Sequence, residues 1–98
     1  AIAMMFAPEA KSKIKPRFTS MYVETNVGIP VQFIDTSMGD PIAWEWDFGD
    51  GATSLEQNPT HAYISPGRYT VQMTAYDKDR GVRETKEDYM TVLPAAAP

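Results

Sequence analysis

The sequence predicts an all-β domain in which about seven antiparallel strands form a two-layer sandwich. Proline and glycine recur at short intervals between Pro16 and Gly81, and the runs between them are rich in valine, threonine and aromatic residues. Several of these runs alternate polar and apolar residues with a period of two, which is typical of strands with one buried face. No long run keeps the period of about 3.6 residues that a helix requires.

Alternation is clearest in three runs in the middle of the chain, which cover residues 31–33, 42–48 and 69–75. In each run the large apolar residues fall on every second position, so they share one face of a strand. That face is expected to point into the core. It carries Val31, Phe33, Ile42, Trp44, Trp46, Phe48, Tyr69, Val71, Met73 and Ala75.

The last predicted strand begins polar and ends apolar. We therefore expect a β-bulge or a change of register near Glu87–Tyr89, after which Met90 and Val92 point inward. About seven strands of this kind are the number found in an immunoglobulin-like sandwich. The predicted strands cover residues 17–25, 30–36, 42–48, 51–54, 60–64, 68–77 and 81–93.

The chain has 98 residues and a formal net charge of −4, which fits a single domain. The acidic balance argues against binding to nucleic acid or to an anionic membrane surface, because both need a clustered basic face. The chain has no cysteine, so neither a disulfide framework nor a thiolate zinc site can form. The apolar run at residues 1–7 is far shorter than the ~20 residues of a membrane helix, so no membrane insertion is predicted.

Composition divides the chain into three parts. Residues 1–15 are expected to be a linker or a flexible N-terminal segment, because the run that ends them is polar and contains alanine, proline and lysine. Residues 16–93 form the predicted sandwich, and residues 94–98 are a proline- and alanine-rich linker. The apolar start fits a cloning remnant, an interdomain segment or a first strand. Two such ends suggest one module of a longer chain, with neighbouring modules as partners.

Three ordered motifs resemble the PKD domain, the polycystic-kidney-disease repeat, in its microbial and archaeal surface-protein form. They are WDFGDG at residues 46–51, NPTHAY at 58–63 and PGRYTVQMTAYD at 66–77, and VQFIDTSMGDP lies upstream of them. The resemblance covers about Pro16 to Leu93 and implies an immunoglobulin-like β-sandwich. It also implies that the motif residues serve the fold. These residues are Trp46, Asp47, Phe48, Gly49, Asp50, Gly51, His61, Tyr63, Gly67 and Tyr69.

The resemblance implies a function as well. PKD domains are usually extracellular or cell-surface modules of larger proteins. They are associated with binding protein or carbohydrate and with spacing other modules, and they are not known as catalytic domains. We therefore expect a non-catalytic adhesion or binding module for a protein or polysaccharide ligand. The alternative is a mechanical or structural spacer in a cell-surface or surface-layer assembly.

The aspartates of WDFGDG allow three interpretations. Asp47 and Asp50 are a pair of carboxylates, but catalysis needs them across a cleft, and nothing in the sequence indicates one. Aspartate also bonds to nearby backbone N–H groups in turns, and Gly49 and Gly51 tolerate positive φ. A structural turn is favoured over a cation contact and over catalysis. His61, the single histidine, is expected to make a structural hydrogen bond rather than serve a triad, so no catalytic residue is predicted.

No cofactor is predicted, although calcium is an open alternative. DKDRG at residues 77–81 resembles the start of an EF-hand loop, but the sixth and twelfth positions hold Val82 and Asp88 where glycine and glutamate are required. Some PKD domains linked to secreted proteases bind calcium, so the resemblance leaves a non-standard site open. The weak metal candidates are Asp47, Asp50, Asp77 and Asp79.

The polar residues that alternate with the core residues point away from the core and are candidates for ligand binding. Trp44 has two possible roles. In the alternating pattern it falls on the same face as the core residues. It lies nearer the strand end, however, where an exposed indole would anchor a sugar or a partner protein. The core role is favoured. The candidate binding surface comprises Trp44, Glu45, Thr70, Gln72, Thr74, Arg83 and Thr85.

Overall fold

Two β-sheets face each other in the computed structural model, which describes residues 13–95. The strands are β1 (Phe18–Ser20), β2 (Glu24–Asn26), β3 (Val31–Asp35), β4 (Ala43–Asp47), β5 (Thr53–Ser54), β6 (Thr60–His61), β7 (Gly67–Tyr76) and β8 (Gly81–Leu93). One sheet has the strand order β1–β3–β6, and the other has the order β2–β8–β7–β4–β5. No helix of membrane-spanning length and hydropathy occurs in this part of the chain. The predicted all-β sandwich is confirmed.

The chain passes from one sheet to the other between β1 and β2. β1 pairs antiparallel with β3, with Phe18 opposite Asp35, whereas β2 pairs parallel with β8, with Glu24 opposite Thr91. The prediction of one strand over residues 17–25 is wrong, because the residues after β1 carry the chain across the edge of the sandwich. The described residues therefore form eight strands, and the β2–β8 pair departs from the predicted antiparallel arrangement.

The long β7–β8 hairpin contains the predicted irregularity. Tyr69 lies opposite Met90, but Val71 lies opposite Lys86, so the register shifts between these two pairs. Asp88 lies within the shift at a φ of 48°, an angle that is uncommon for residues other than glycine. The predicted bulge is confirmed, and the strand end that follows it points inward.

The core is centred on the indole of Trp46, which has no exposed surface. Its ring centroid lies 5.1 Å from that of Phe18 and 5.6 Å from that of Phe33, both on the opposite sheet. The ring of Phe48 lies 6.2 Å away on the same side of β4. Aromatic pairs at such distances add ~0.5–1.5 kcal/mol beyond the burial of their area. The buried cluster consists of Ile14, Phe18, Val31, Phe33, Trp46, Phe48, Tyr63, Val71, Met73, Ala75, Met90 and Val92.

The predicted inward face agrees with this cluster except at one position. Ile42 is 67% exposed, because it precedes β4 and the alternation of the strand does not extend to it. Trp44 and Tyr69 are partly buried and pack against the cluster. Alternation therefore identifies the core along β4 and at Phe48 just after it, but fails at Ile42 just before it.

The N-terminal segment is part of the fold where the structure describes it. Ile14 is 4% exposed and belongs to the buried cluster, and Lys15 exchanges backbone hydrogen bonds of 2.9 and 3.0 Å with Met38. Residues 13–15 thus depart from the predicted linker, while residues 1–12 lie outside the described residues. Of the predicted C-terminal linker, residues 94 and 95 follow β8 without forming a strand, and residues 96–98 lie outside the described residues.

The turn after β4 is held by the aspartates of WDFGDG. Oδ1 of Asp47 accepts the N–H of Gly49 at 2.9 Å, and Oδ1 of Asp50 accepts the N–H of Ala52 at 3.1 Å. Gly49 and Gly51 have positive φ values of 87° and 94°. These are the hydrogen bonds and backbone angles of a structural turn.

We expect Gly49→Ala to destabilise the domain far more than Gly51→Ala. Both positions have a φ that favours glycine, so the backbone penalty is similar in the two variants. A Cβ at Gly49 would lie 2.3 Å from the carbonyl oxygen of Thr70, whereas nothing lies within 4 Å of a Cβ at Gly51. The clash should add about 1–3 kcal/mol to the loss of unfolding free energy, measured by urea denaturation. Equal losses in both variants would contradict the close approach of this turn to β7.

Candidate functional site

His61, at the end of β6, is tied to the turn that follows β4. Its Nε2 lies 2.7 Å from Oδ2 of Asp50, and the two side chains are 16% and 15% exposed. The imidazole stacks on Phe48, with ring centroids 4.1 Å apart and ring planes at 6°. Asp50 thus contacts one ring nitrogen of His61, and Phe48 covers one face of the ring. These contacts are of the kind expected for a structural histidine.

Tyr63 supplies the buried hydroxyl of this cluster. Its side chain has no exposed surface, and its OH donates a hydrogen bond of 2.9 Å to the carbonyl oxygen of Phe48. Burial, and then the negative charge of Asp50, raise the pKa of Tyr63 above its usual value, so the hydroxyl keeps its proton. Tyr69 stacks on Tyr63 with centroids 4.4 Å apart, and Gly67 opens β7 with a φ of 152°. The motif residues therefore connect the turn after β4 to β6 and β7 through side-chain contacts.

The weak metal candidates fall into two separate turns. Asp47 and Asp50 flank the turn after β4, and Asp77 and Asp79 lie between β7 and β8. Oδ1 of Asp77 accepts the N–H groups of Asp79 and Arg80 at 2.8 and 2.9 Å, as aspartate does in an ordinary turn. Between residues 13 and 95, no three acidic or histidine side chains are grouped so that they could hold a metal ion. Calcium binding stays a prediction that rests on the resemblance alone.

The predicted binding surface lies mainly on the outer face of the five-stranded sheet. Glu45 on β4 lies opposite Thr74 on β7, which in turn lies opposite Arg83 on β8. These residues help to line a shallow depression of about 90 Å³. We call it the outer-face depression. Its lining consists of Glu45, Asp47, Thr53, Gln72, Thr74 and Arg83.

Two hydrogen bonds fix side chains in the outer-face depression. Nε of Arg83 donates to Oγ1 of Thr74 at 3.1 Å, and the hydroxyl of Tyr76 donates to Oε1 of Glu45 at 2.9 Å. The bond to Glu45 is the main reason that the pKa of Tyr76 is raised above its usual value. Thr74 is only 7% exposed, because the Arg83 side chain bonds across it. Thr74 therefore lies on the predicted outer face but contributes little open surface.

Trp44 does not belong to the outer face. It lies opposite the buried Ala75, so its side chain is on the inner side of the sheet, where it is partly buried. Its Nε1 is buried and has no hydrogen-bond partner. The assignment of Trp44 to the binding surface is wrong, and its favoured core role is the one that the packing supports.

The remaining outward residues differ in how they are used. Oγ1 of Thr70 accepts the N–H of Asp88 at the bulge, whereas Thr85 is exposed opposite Gln72. Asp47 also lines the depression, a position that its turn, metal and catalytic interpretations did not include. The alternation contained the necessary signal, because Asp47 follows Glu45 by two positions and so shares its face.

Known proteins share this sequence pattern. The chain matches the family model of the PKD domain over residues 7–92. The pre-pro-metalloprotease PrtV of Vibrio cholerae is 37% identical over 75 residues, which are 72% of this chain and 8% of that protein. Collagenase ColA of Bacillus cereus is 51% identical over 49 residues, which are 50% of this chain and 5% of that protein. The chain thus corresponds to a small fraction of the length of these relatives.

Solved structures share the fold. The PKD1 domain of the Vibrio cholerae metalloprotease PrtV superposes with a TM-score of 0.62 at 33% identity, over 80% of this chain and 94% of that chain. A structure of carbohydrate-binding modules from the β-sandwich superfamily superposes with a TM-score of 0.78 at 23% identity, over 88% of this chain and 37% of that chain. At this identity the second likeness is one of fold alone. The chain belongs to the PKD domain family, as a non-catalytic module of the kind that makes up a small part of much larger proteins.

Proposed function

We propose that this domain is an extracellular or cell-surface binding module that holds a larger protein on a protein or polysaccharide ligand. The observation that carries the proposal is the outer-face depression, where Glu45, Gln72 and Arg83 come together on one sheet. The relatives named as a collagenase and a metalloprotease support it, because enzymes that degrade large extracellular substrates benefit from a module that keeps them at the substrate.

The outer-face depression suits polar recognition. Hydrogen bonds to Thr74 and Tyr76 already hold the side chains of Arg83 and Glu45. Binding a ligand would therefore cost these two side chains little conformational entropy. A volume of about 90 Å³ has room for one protruding polar group rather than a whole sugar ring. The surrounding sheet face would supply the remaining contact area. Because the depression is small, we expect one module to bind weakly and several linked modules to bind more tightly.

We expect Arg83→Ala and Gln72→Ala to weaken binding to an insoluble ligand about five- to tenfold, equivalent to about 1–1.4 kcal/mol. Sedimentation with insoluble collagen, chitin and cellulose measures the bound fraction. Arg68→Ala is the matched control, because Arg68 is an exposed cation at the start of β7, away from the depression. Thermal unfolding of each variant separates lost contacts from lost stability. The proposal fails if none of the three materials is bound, or if both depression variants bind as well as the control.

A spacer function is the second candidate, and the β2–β8 pair favours it. Because these strands run parallel, opposite pulls on the start of β2 and the end of β8 load their hydrogen bonds together rather than one after another. The N–H of Val27 bonds the carbonyl oxygen of Leu93 at 2.9 Å, and the N–H of Thr91 bonds that of Val23 at 2.9 Å. Such a pair would resist extension between neighbouring modules.

For this second function we expect Val27→Pro to lower the unfolding force more than Val27→Ala. Both variants reduce the packing of Val27 against the core, but only proline removes the N–H that bonds Leu93. The lost bond is worth about 0.5–1.5 kcal/mol. Single-molecule pulling on a tandem of identical modules makes the comparison. Identical forces for the two variants would mean that the β2–β8 bonds do not carry the load.

A further inference from the structure

A line of positive charge leads into β1. Lys13, Lys15 and Arg17 are exposed, while Ile14 and Phe18 at the alternate positions are buried. This alternation is that of an extended chain, in which the Cα atoms of every second residue stand about 6.6–6.8 Å apart. We call Lys13, Lys15 and Arg17 the basic strip.

The basic strip differs in charge from the rest of the chain. Within the described part of the chain, none of its three cations has an ion-pair partner. The whole chain carries a formal net charge of −4, so the strip is a local exception to the acidic balance. Clustered charges of one sign raise the local concentration of an oppositely charged polymer. Net charge is therefore a poor guide to what this edge of the sandwich attracts.

A groove between β1 and β8 adjoins the basic strip. Its volume is about 320 Å³, and its lining consists of Arg17, Phe18, Thr19, Thr36, Glu84 and Lys86. Nζ of Lys86 lies 3.9 Å from Oε1 of Glu84, so the carboxylate partly offsets this cation. Nζ of Lys86 lies 5.3 Å from the ring centroid of Phe18, a distance at which the ring attracts a cation. The groove thus presents two cations, one carboxylate that pairs with Lys86, and hydroxyl groups beside the strip.

Glu84 limits what can bind along β1. Backbone bonds of Arg17 and Met21 point to β3, so the N–H of Phe18 points away from that partner at the free edge of the sheet. Oε1 of Glu84 accepts this N–H at 3.3 Å. A peptide that added itself as a further strand would need the same donor. The edge therefore favours a ligand that reaches side chains rather than backbone.

We propose that the basic strip and the adjoining groove bind a linear anionic polysaccharide through its carboxylate or sulfate groups. The guanidinium of Arg17 can take such a group by two parallel hydrogen bonds, while Lys13 and Lys15 act as point charges. Sugar hydroxyls would bond Thr19 and Thr36 in the groove. This surface lies on the edge of the three-stranded sheet and is distinct from the outer-face depression.

The test compares two double variants that remove the same charge. Lys15→Gln with Arg17→Gln neutralises the strip, and Arg68→Gln with Lys78→Gln neutralises two exposed cations that lie outside both the strip and the outer-face depression. Heparin serves as the sulfated polysaccharide and poly-L-glutamate as the acidic polypeptide, with binding measured by calorimetry at low and physiological salt. The strip variant should bind heparin about 5- to 20-fold more weakly than the natural domain, and the matched variant less than about twofold more weakly.

Several outcomes would overturn the proposal. Equal losses in the two double variants would assign heparin binding to charge in general or to the other sheet. Tighter binding of poly-L-glutamate than of heparin would make an acidic polypeptide the partner. No measurable heparin binding by the natural domain at low salt would remove the site. Heparin binding that the strip variant alone loses would support the proposal whatever happens at the outer-face depression.

Discussion

The packing of the Trp46 indole between the two sheets is the constraint on which the rest of this domain depends. The rings of Phe18 and Phe33 reach it from one sheet, and Phe48 stands beside it on the other. A domain of this size buries only about 60–65% of the surface that its unfolded chain exposes, and this chain has no cysteine for a disulfide. A few aromatic side chains must therefore hold the sheets together. Both proposed binding surfaces lie outside this cluster and depend on it for their positions.

The WDFGDG turn shows how closely the core and the surface are linked. Phe48 packs in the core, accepts the Tyr63 hydroxyl on its carbonyl oxygen and stacks on His61, which pairs with Asp50. A motif rich in acidic and aromatic residues therefore serves the scaffold. The alternation of polar and apolar residues correctly predicted that Trp46 and Phe48 share the inner face, whereas the scaffold role of the motif was implied by the family resemblance and by turn chemistry. It also placed the β7–β8 bulge, because the polar start and apolar end of β8 cannot share one continuous register.

Other features depend on contacts that no local pattern contains. The crossing between β1 and β2 was missed, because alternation does not say to which sheet a strand belongs. The burial of Thr74 depends on a long side chain from another strand, Arg83, that bonds across it. The basic strip is not predicted from the sequence, because alanine, proline and lysine are typical of a linker. The order Lys13, Ile14, Lys15 already alternates, but only the distant backbone bridge between Lys15 and Met38 ties this segment to the sandwich.

The free energy of unfolding of Trp46→Ala, measured by urea denaturation, tests the central role of the indole most directly. Removing a fully buried tryptophan should cost about 3–5 kcal/mol, a large part of the ~5–15 kcal/mol that stabilises a typical domain. Leu55→Ala is the control, because Leu55 is 77% exposed and its loss should change stability by less than about 0.5 kcal/mol. If Trp46→Ala costs no more than Leu55→Ala, the sheets are held together by something other than this indole.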